Sequence, residues 1–403
     1  MATVTKLHPK QDVPYDERSF IDLYVNATGV SETPEIYHKW CALATIAACV
    51  ADRVWIEKFK GKKLSPNLYL ILLGPSGNGK GTAMGFAEQL LRTVPRMNMW
   101  NGMITAPSLI DKLGKSHKDP ATGRKIVANS KILLLTPEMA TAVGEGLMAD
   151  KFVKLMTALY EGHTDWSEGT RTSGEVEIKN CNINWIAGST AQWMVECLPK
   201  SSIDSGFLAR SIIAPADYDY SKRIPIPLPP PDLDVLMDQL YYRCFAFAAL
   251  SGEFEVSDEA YEVQDRWYMT RPQEHDIALE AAWHRDDDLC WKLAMILSLS
   301  EGIDMVIEAK HWLAANRLVR VAHRDLPKLL TMASQTIETE CVGMMRDIIK
   351  RSRKITHRLL MQKLSAKGKR AAEIREASMM LKSLGEIEYE SGPRGGTIYA
   401  WKG

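Results

Sequence analysis

This chain has no surplus of charge, because 50 Lys and Arg face 50 Asp and Glu. Net charge therefore excludes neither a polyanion nor a polycation as partner, and only the distribution of charge can inform. No run of roughly 18 apolar residues occurs, so no membrane-spanning helix is expected. The opening MATVTKLHPKQD lacks the apolar stretch of a signal peptide. These absences predict a cytoplasmic protein, in a bacterial or host-cell cytosol, with no membrane partner. The seven cysteines are odd in number and scattered, with no CxxC pair and no Cys/His cluster. That argues against a zinc module or a disulfide framework and fits a reducing compartment. Internal repeats are also missing, which excludes a solenoid.

The charge that is present is uneven. From Cys341 to Gly403 there are 14 Lys and Arg against 6 Asp and Glu, a net of +8, so the rest of the chain carries −8. A basic tail on an acidic body suggests that the tail meets a polyanion. At 403 residues the chain can bury two or three cores.

Residues 16–51 read as two helices, with Thr33-Pro34 opening the second. A continuous apolar run at 68–73 has the character of a strand buried on both faces, and 132–135, 181–187 and 210–214 read as further strands. Helical stretches lie between them, so the fold class is α/β with a parallel sheet and flanking helices. "TDWSEGTRTSGEVEIKN", 164–180, reads as a β-hairpin with Thr170, Arg171 and Thr172 at its tip. "IPIPLPPPDLD", 224–234, is a proline-rich joint. The organisation expected is an N-terminal helical region (1–52), an α/β core with the hairpin (53–224), a helical domain (235–335) and a C-terminal winged helix (337–403). The last comprises short helices followed by two strands around a Gly-Pro-Arg-Gly-Gly tip.

"LILLGPSGNGKGT", 70–82, carries the chemistry. An apolar strand empties into GxxxxGK, and a helix follows, which is the context that a phosphate-binding loop demands. Gly74 and Gly79 let the backbone aim N–H groups inward, with Pro75, Ser76, Gly77 and Asn78 between them. Lys80 brings a positive charge to the β- and γ-phosphates of ATP, and the helix start adds its dipole. Gly81 stands where a magnesium-binding Ser or Thr is usual, and Thr82 follows one residue later. Thr82 is expected to hold Mg2+ or an α-phosphate oxygen.

"LLLTPE" ends a strand on Glu138, a carboxylate placed to orient and deprotonate attacking water; Pro137 precedes it where an Asp is usual. "INWIAGST" ends another strand on Ser189 and Thr190, where a hydroxyl can sense a γ-phosphate. "GFLAR" places Arg210 before a strand, at a position from which it can enter a neighbouring copy's site. Arg285 and Lys292, in the helical block, are candidates for a second phosphate contact, although Asp286, Asp287 and Asp288 are equally available to pair with Arg285. In the basic tail, Lys367, Lys369, Arg370 and Arg375 lie at or near one helix and Arg394 at the strand tip, an array suited to duplex phosphates.

GKGT resembles the adenylate kinases, but there the loop lies near the N-terminus, and here 73 residues precede it. The order of all the segments together, over roughly residues 30–330, resembles the AAA+-like replicative helicase and primase-helicase ATPases of phages, prophages and mobile elements. The hairpin is similar to that of the superfamily three helicases. The resemblance implies a P-loop ATPase that forms a homo-hexameric ring around single-stranded or forked DNA. It implies ATP bound between subunits, Lys80, Glu138 and Arg210 in catalysis, the 170–172 tip on DNA, and a primase or replication initiator as a further partner. Gly81 and Pro137 depart from the family pattern, and both bear on the metal. Alternatives are a helicase loader or DNA-remodelling ATPase, an adenylate-kinase-like phosphotransferase, and a DNA-binding scaffold that uses ATP only to assemble.

Overall fold

The computed structural model describes residues 16–114, 116–118, 125–127, 130–144, 147–161, 164–170, 174–197, 206–224, 226, 228–271, 277–324, 341–367, 369, 371–392 and 396–402. Two helices come first, α1 (Phe20–Thr28), capped by the Ser19 side chain, and α2 (Glu35–Val50). β1 (Val54–Phe59) and β2 (Lys62–Leu64) form an antiparallel pair. β3 (Tyr69–Leu73) then leads through the glycine-rich loop into α3 (Lys80–Leu91). The chain continues through β4 (Met99–Asn101), α4 (Ala106–Gly114) and the small hairpin of β5 (Ser116–Lys118) and β6 (Lys125–Val127). β7 (Lys131–Thr136), α5 (Met139–Val143) and α6 (Leu147–Ala158) follow. β8 (Thr164–Thr170) pairs with the long β9 (Gly174–Ser189), and α7 (Ala191–Cys197) and β10 (Ser211–Pro215) complete this half.

The main sheet has the strand order β10-β3-β9-β7-β4, and every neighbouring pair in it is parallel. All five strands thus end on the same edge, which is what lets loops far apart in sequence converge. β3 is buried at every position, as a strand covered on both faces must be. Its side chains alternate between two cores: Leu70 and Leu72 pack with α1, α2 and α3, while Tyr69, Ile71 and Leu73 pack with α4 and α6. The apolar runs in the sequence are continuous because both faces are covered by helices.

The second arm of the hairpin and the third sheet strand, read separately in the sequence, are one strand of 16 residues. The interruption is a bulge: Thr164 pairs with Cys181 and Trp166 with Ile178, so Lys179 and Asn180 on β9 oppose the single residue Asp165 on β8. Asn180 has φ +51, a left-handed conformation that Asn accepts more readily than most residues.

Beyond the proline-rich joint lie α8 (Leu233–Ala249), α9 (Asp258–Thr270), α10 (Ile277–Glu301) and α11 (Ala309–His323). Three two-residue strands join them: β11 (Gly252–Glu253), β12 (Glu255–Val256) and β13 (Val306–Ile307). These helices do not enclose a core of their own. Leu236, Leu240, Trp291 and Trp312 belong to the same buried cluster as Leu70, Leu72 and the apolar face of α2. The C-terminal unit does have its own core, built from Met345, Ile349, Leu360, Leu364, Leu381 and Ile387 among others. It comprises a helix over 341–352 (α12), β14 (Lys354–Thr356), α13 (His357–Ser365), α14 (Ala371–Ser383), β15 (Ile387–Ser391) and β16 (Thr397–Trp401). Its three strands form an antiparallel sheet in the order β14-β16-β15, and Arg346 of α12 grips Glu386 through two hydrogen bonds of 2.6 and 2.9 Å.

Lys292 of α10 is a buried cation that ties the helical block to the start of β3. Its Nζ donates to Asn67 Oδ1 at 2.7 Å and stands 3.9 Å from the Tyr160 ring centre. Burial pushes its pKa down to about 7, although Glu161 and Asp288 work to raise it. Folding therefore lowers the proton affinity of this group: below about pH 7 it is charged in both states, and above it only the unfolded chain keeps the proton. The group makes stability rise with pH from about pH 7, and the unfolded-state titration of the buried cysteines opposes that rise as pH nears about 8.5. Urea denaturation should show wild type gaining about 1.6 kcal/mol more than Lys292→Met between pH 7 and 8.5, from roughly 1.4 kcal/mol per full pH step less the half-titrated start. Lys292→Met should flatten that rise; an equally steep rise in the variant would contradict the assignment.

Candidate functional site

The loop from Gly74 to Gly79 is held from outside by elements on both sides of it. Gly77 and Gly79 have φ of +79 and +76, which turn the backbone inward at positions where a side chain is strained. A Cβ on Gly79 would stand 2.3 Å from Thr33 Oγ1, and one on Gly74 would stand 2.3 Å from the Tyr37 hydroxyl. Tyr37 donates to Leu73 O at 2.7 Å, so α2 fixes the point where the strand becomes loop. Asn78, itself buried, donates through Nδ2 to Ala216 O at 2.9 Å and fixes the loop to the chain leaving β10. The Lys80 ammonium donates to Gly74 O at 2.7 Å and Pro75 O at 2.6 Å, which places it inside the curl of the loop. Burial lowers its pKa, and Glu138 opposes that shift.

The loop borders a cavity of about 490 Å3. Of the predicted phosphate-loop residues, Ser76, Gly77, Asn78, Gly79, Lys80, Gly81 and Thr82 line it, and Gly74 and Pro75 shape it by anchoring Lys80. Glu138, just past β7, and Thr190, just past β9, line the same cavity. Thr190 Oγ1 accepts the Trp193 amide at 3.2 Å and so caps α7. A backbone turn, a helix N-terminus, an ammonium, a carboxylate and a hydroxyl thus face one space. This donor set fits a polyphosphate. It also fits Mg2+, which needs few protein ligands when phosphates and water supply the rest. Thr82 and Glu138 are the residues available for it. Among the described residues no cluster of three or more His, Cys, Asp or Glu exists that would cage an ion by itself.

Arg210 and Arg285 are not in this cavity. Arg210 immediately precedes β10, whose first residue pairs with Tyr69 at the start of β3. It therefore sits at the opposite edge of the sheet from the loop, roughly 15 Å away for a strand of this length. There it does not project from an open edge; its side chain is only 11% exposed. Its guanidinium donates to Gly206 O at 3.0 Å and to Glu161 Oε1 at 3.4 Å, and Arg285 donates to the same carboxylate oxygen at 2.8 Å. Burial works to raise the Glu161 pKa, and Arg285, Lys292 and Arg210 together outweigh it, holding the carboxyl below its ordinary value. Arg285 and Lys292, candidates for a second phosphate contact, thus do not reach this cavity in their own chain. Both lie at the far edge, seven residues apart on one face of α10, where Arg285 meets Glu161 and Lys292 meets Asn67. The acidic trio pairs elsewhere: Asp287 and Asp288 with Lys58, and Asp286 with His323.

The hairpin arm ends at Thr170, paired with Gly174; Arg171 and Thr172 lie outside the described residues. In the C-terminal unit Lys367 is exposed in the turn after α13, Lys369 is half-buried and Arg375 is exposed on α14, while Arg370 and Arg394 lie outside the described residues.

No protein-family model matches this chain, and no curated protein is similar to it.

Sequence reasoning missed Gly188, Trp193, Glu161 and the residues that clamp the loop. A Cβ on Gly188 would stand 2.3 Å from Pro137 O and 3.6 Å from Lys80 Cβ. Only glycine lets the end of β9 lie between the Glu138 turn and Lys80. The signal was the Gly in "AGST", read there only for its hydroxyls. Gly188→Ala should cost about 1–3 kcal/mol in urea denaturation, because rigid backbone must move to admit the methyl group. Gly81→Ala should cost nothing or stabilise, since its Cβ meets nothing within 4 Å and Ala favours the helix. Equal losses from the two substitutions would contradict this packing.

Proposed function

We propose that this protein is a P-loop ATPase that acts on DNA, most simply as a ring-forming helicase or translocase of the AAA+-like kind serving phage or mobile-element replication. The observation that carries the reading is the convergence of Lys80, Thr82, Glu138 and Thr190 on one cavity, from one loop and two further strand ends. In this reading the loop amides and Lys80 neutralise the β- and γ-phosphates. Glu138 orients the attacking water and takes its proton, and the Thr190 hydroxyl positions the γ-phosphate or that water. Magnesium, when bound with the nucleotide beside Thr82, supplies charge for the leaving phosphate. β9 stands between the loop strand β3 and the carboxylate strand β7.

The location of Arg210 and Arg285 bears on assembly. At the far edge of the sheet they can reach a triphosphate only in another copy of the chain, which is the relation that a ring needs. The hairpin of β8 and β9 grows from the same strand that carries Thr190, so a change at the γ-phosphate has a stiff route to its tip. The C-terminal helices and antiparallel sheet, with Lys367 and Arg375 exposed, support a winged-helix unit for duplex phosphates. A second reading, a helicase loader or remodelling ATPase that never unwinds, is favoured by the engagement of Arg210 with Glu161 of its own chain.

The test is ATP turnover with and without single-stranded DNA, followed by unwinding of a forked duplex. Wild type should hydrolyse ATP faster when single strands are present. Lys80→Ala should abolish turnover, and Glu138→Gln should retain ATP binding while losing about 100-fold or more in rate. Turnover that survives Lys80→Ala would refute the proposal; DNA-stimulated turnover without strand separation would select the loader.

A further inference from the structure

The sheet order also fixes which way round a nucleotide lies. Glu138 and Thr190 follow β7 and β9, both on one side of the loop strand β3. If the γ-phosphate points to them, the phosphate chain runs across the top of β3 and the nucleoside leaves on the other side, the side of β10. What stands there is the chain leaving β10. Its Ala216 amide donates to Leu73 O at 2.9 Å, so this segment follows the loop closely from its first residue. Two residues on, the Tyr218 hydroxyl donates to Ser76 O, and it lies 3.3 Å from where a Cβ on Gly77 would be. Ser76 and Gly77 are themselves lining residues of the cavity. Tyr220 completes the feature: its ring centre is 5.8 Å from that of Tyr218, inclined at 45°.

Both rings face water, Tyr218 at 40% and Tyr220 at 74% exposure. Large aromatic side chains left exposed side by side at the lip of a polar cavity need a reason, since each buries favourably when covered. The hydroxyl of Tyr218 is spent on the loop, so its ring is held at a fixed height above the phosphate site.

We propose that Tyr218 and Tyr220 form a stacking platform for the nucleobase of the triphosphate bound at the Lys80 loop. This rests on the phosphate-site reading above and deepens it. The occupant is a nucleobase, and a purine covers more of two adjacent rings than a pyrimidine does. The platform reads it by its π-face, which adenine and guanine share, so GTP binds about as well as ATP.

The test is titration of full-length protein with three probes: ATP, GTP and inorganic tripolyphosphate, each with magnesium. The variants are Tyr218→Ala/Tyr220→Ala together, Tyr218→Phe and Lys80→Ala, with thermal unfolding confirming that each is folded. The double variant should bind ATP and GTP about tenfold or more weakly and tripolyphosphate within about twofold of wild type, in line with the strength of base–aromatic stacking. Tyr218→Phe, which keeps both rings but releases one from the Ser76 carbonyl, should lose less nucleotide affinity than the double variant. Unchanged ATP affinity in the double variant overturns the platform alone. So does an equal loss of tripolyphosphate, which would make the tyrosines supports of the loop. If wild type binds none of the three probes, or Lys80→Ala binds them all as wild type does, the phosphate site falls and the platform with it.

Discussion

The hydrogen bond from Tyr37 to the carbonyl of Leu73 is the constraint on which the site depends. A glycine-rich loop left to itself samples many conformations, and ordering it costs entropy. Here the cost is met before any ligand arrives. α2 holds the loop at its entry, Thr33 closes against Gly79, and Asn78 ties its middle to the segment after β10. The glycines are needed as much for these close approaches as for their dihedral angles. A preformed loop of this kind presents its amides and the N-terminus of α3 in fixed directions, which is the arrangement that favours an anion.

The parallel sheet then sorts the charged groups by edge. Lys80, Glu138 and Thr190 lie at the edge where the strands end. Arg210, Arg285 and Lys292 gather at the edge where β3 and β10 begin, around Glu161 and Asn67. The helices after the proline-rich joint pack into the same core as the sheet, so α10 delivers two of those cations to a rigid surface. If the Lys80 loop holds phosphates as proposed, the guanidiniums at the other edge are out of its reach within the same chain, and the head-to-tail contact proposed above is what brings them to a second copy's loop.

Much of this was legible in the sequence because it is local or follows from parallel strands. The run Leu68–Leu73 before GPSGNGK announces a buried strand and its loop. Glu138 and Thr190 could be placed with Lys80 because strands in a parallel sheet end on one edge. What the sequence could not give was adjacency. That Gly188 lies against Pro137 follows only once β9 is known to stand beside β7. Asn180 looked like the end of a hairpin and is a bulge within one strand, because the register with β8 is set by tertiary pairing. Arg285 reads in the sequence as a candidate phosphate contact with no edge assigned to it, because a helix periodicity shows which residues share a face, not where along the sheet that face lies. Tyr218 and Tyr220 carried no pattern at all, and their meaning comes from the segment that runs beside the loop.

A crystal structure with a non-hydrolysable ATP analogue and magnesium tests the central claim most directly. The account predicts that Lys80 Nζ leaves the carbonyls of Gly74 and Pro75 for the β- and γ-phosphates, with the γ-phosphate facing Glu138 and Thr190 and the rest of the loop unmoved. An analogue bound elsewhere, with Lys80 still turned onto its own loop, would contradict it.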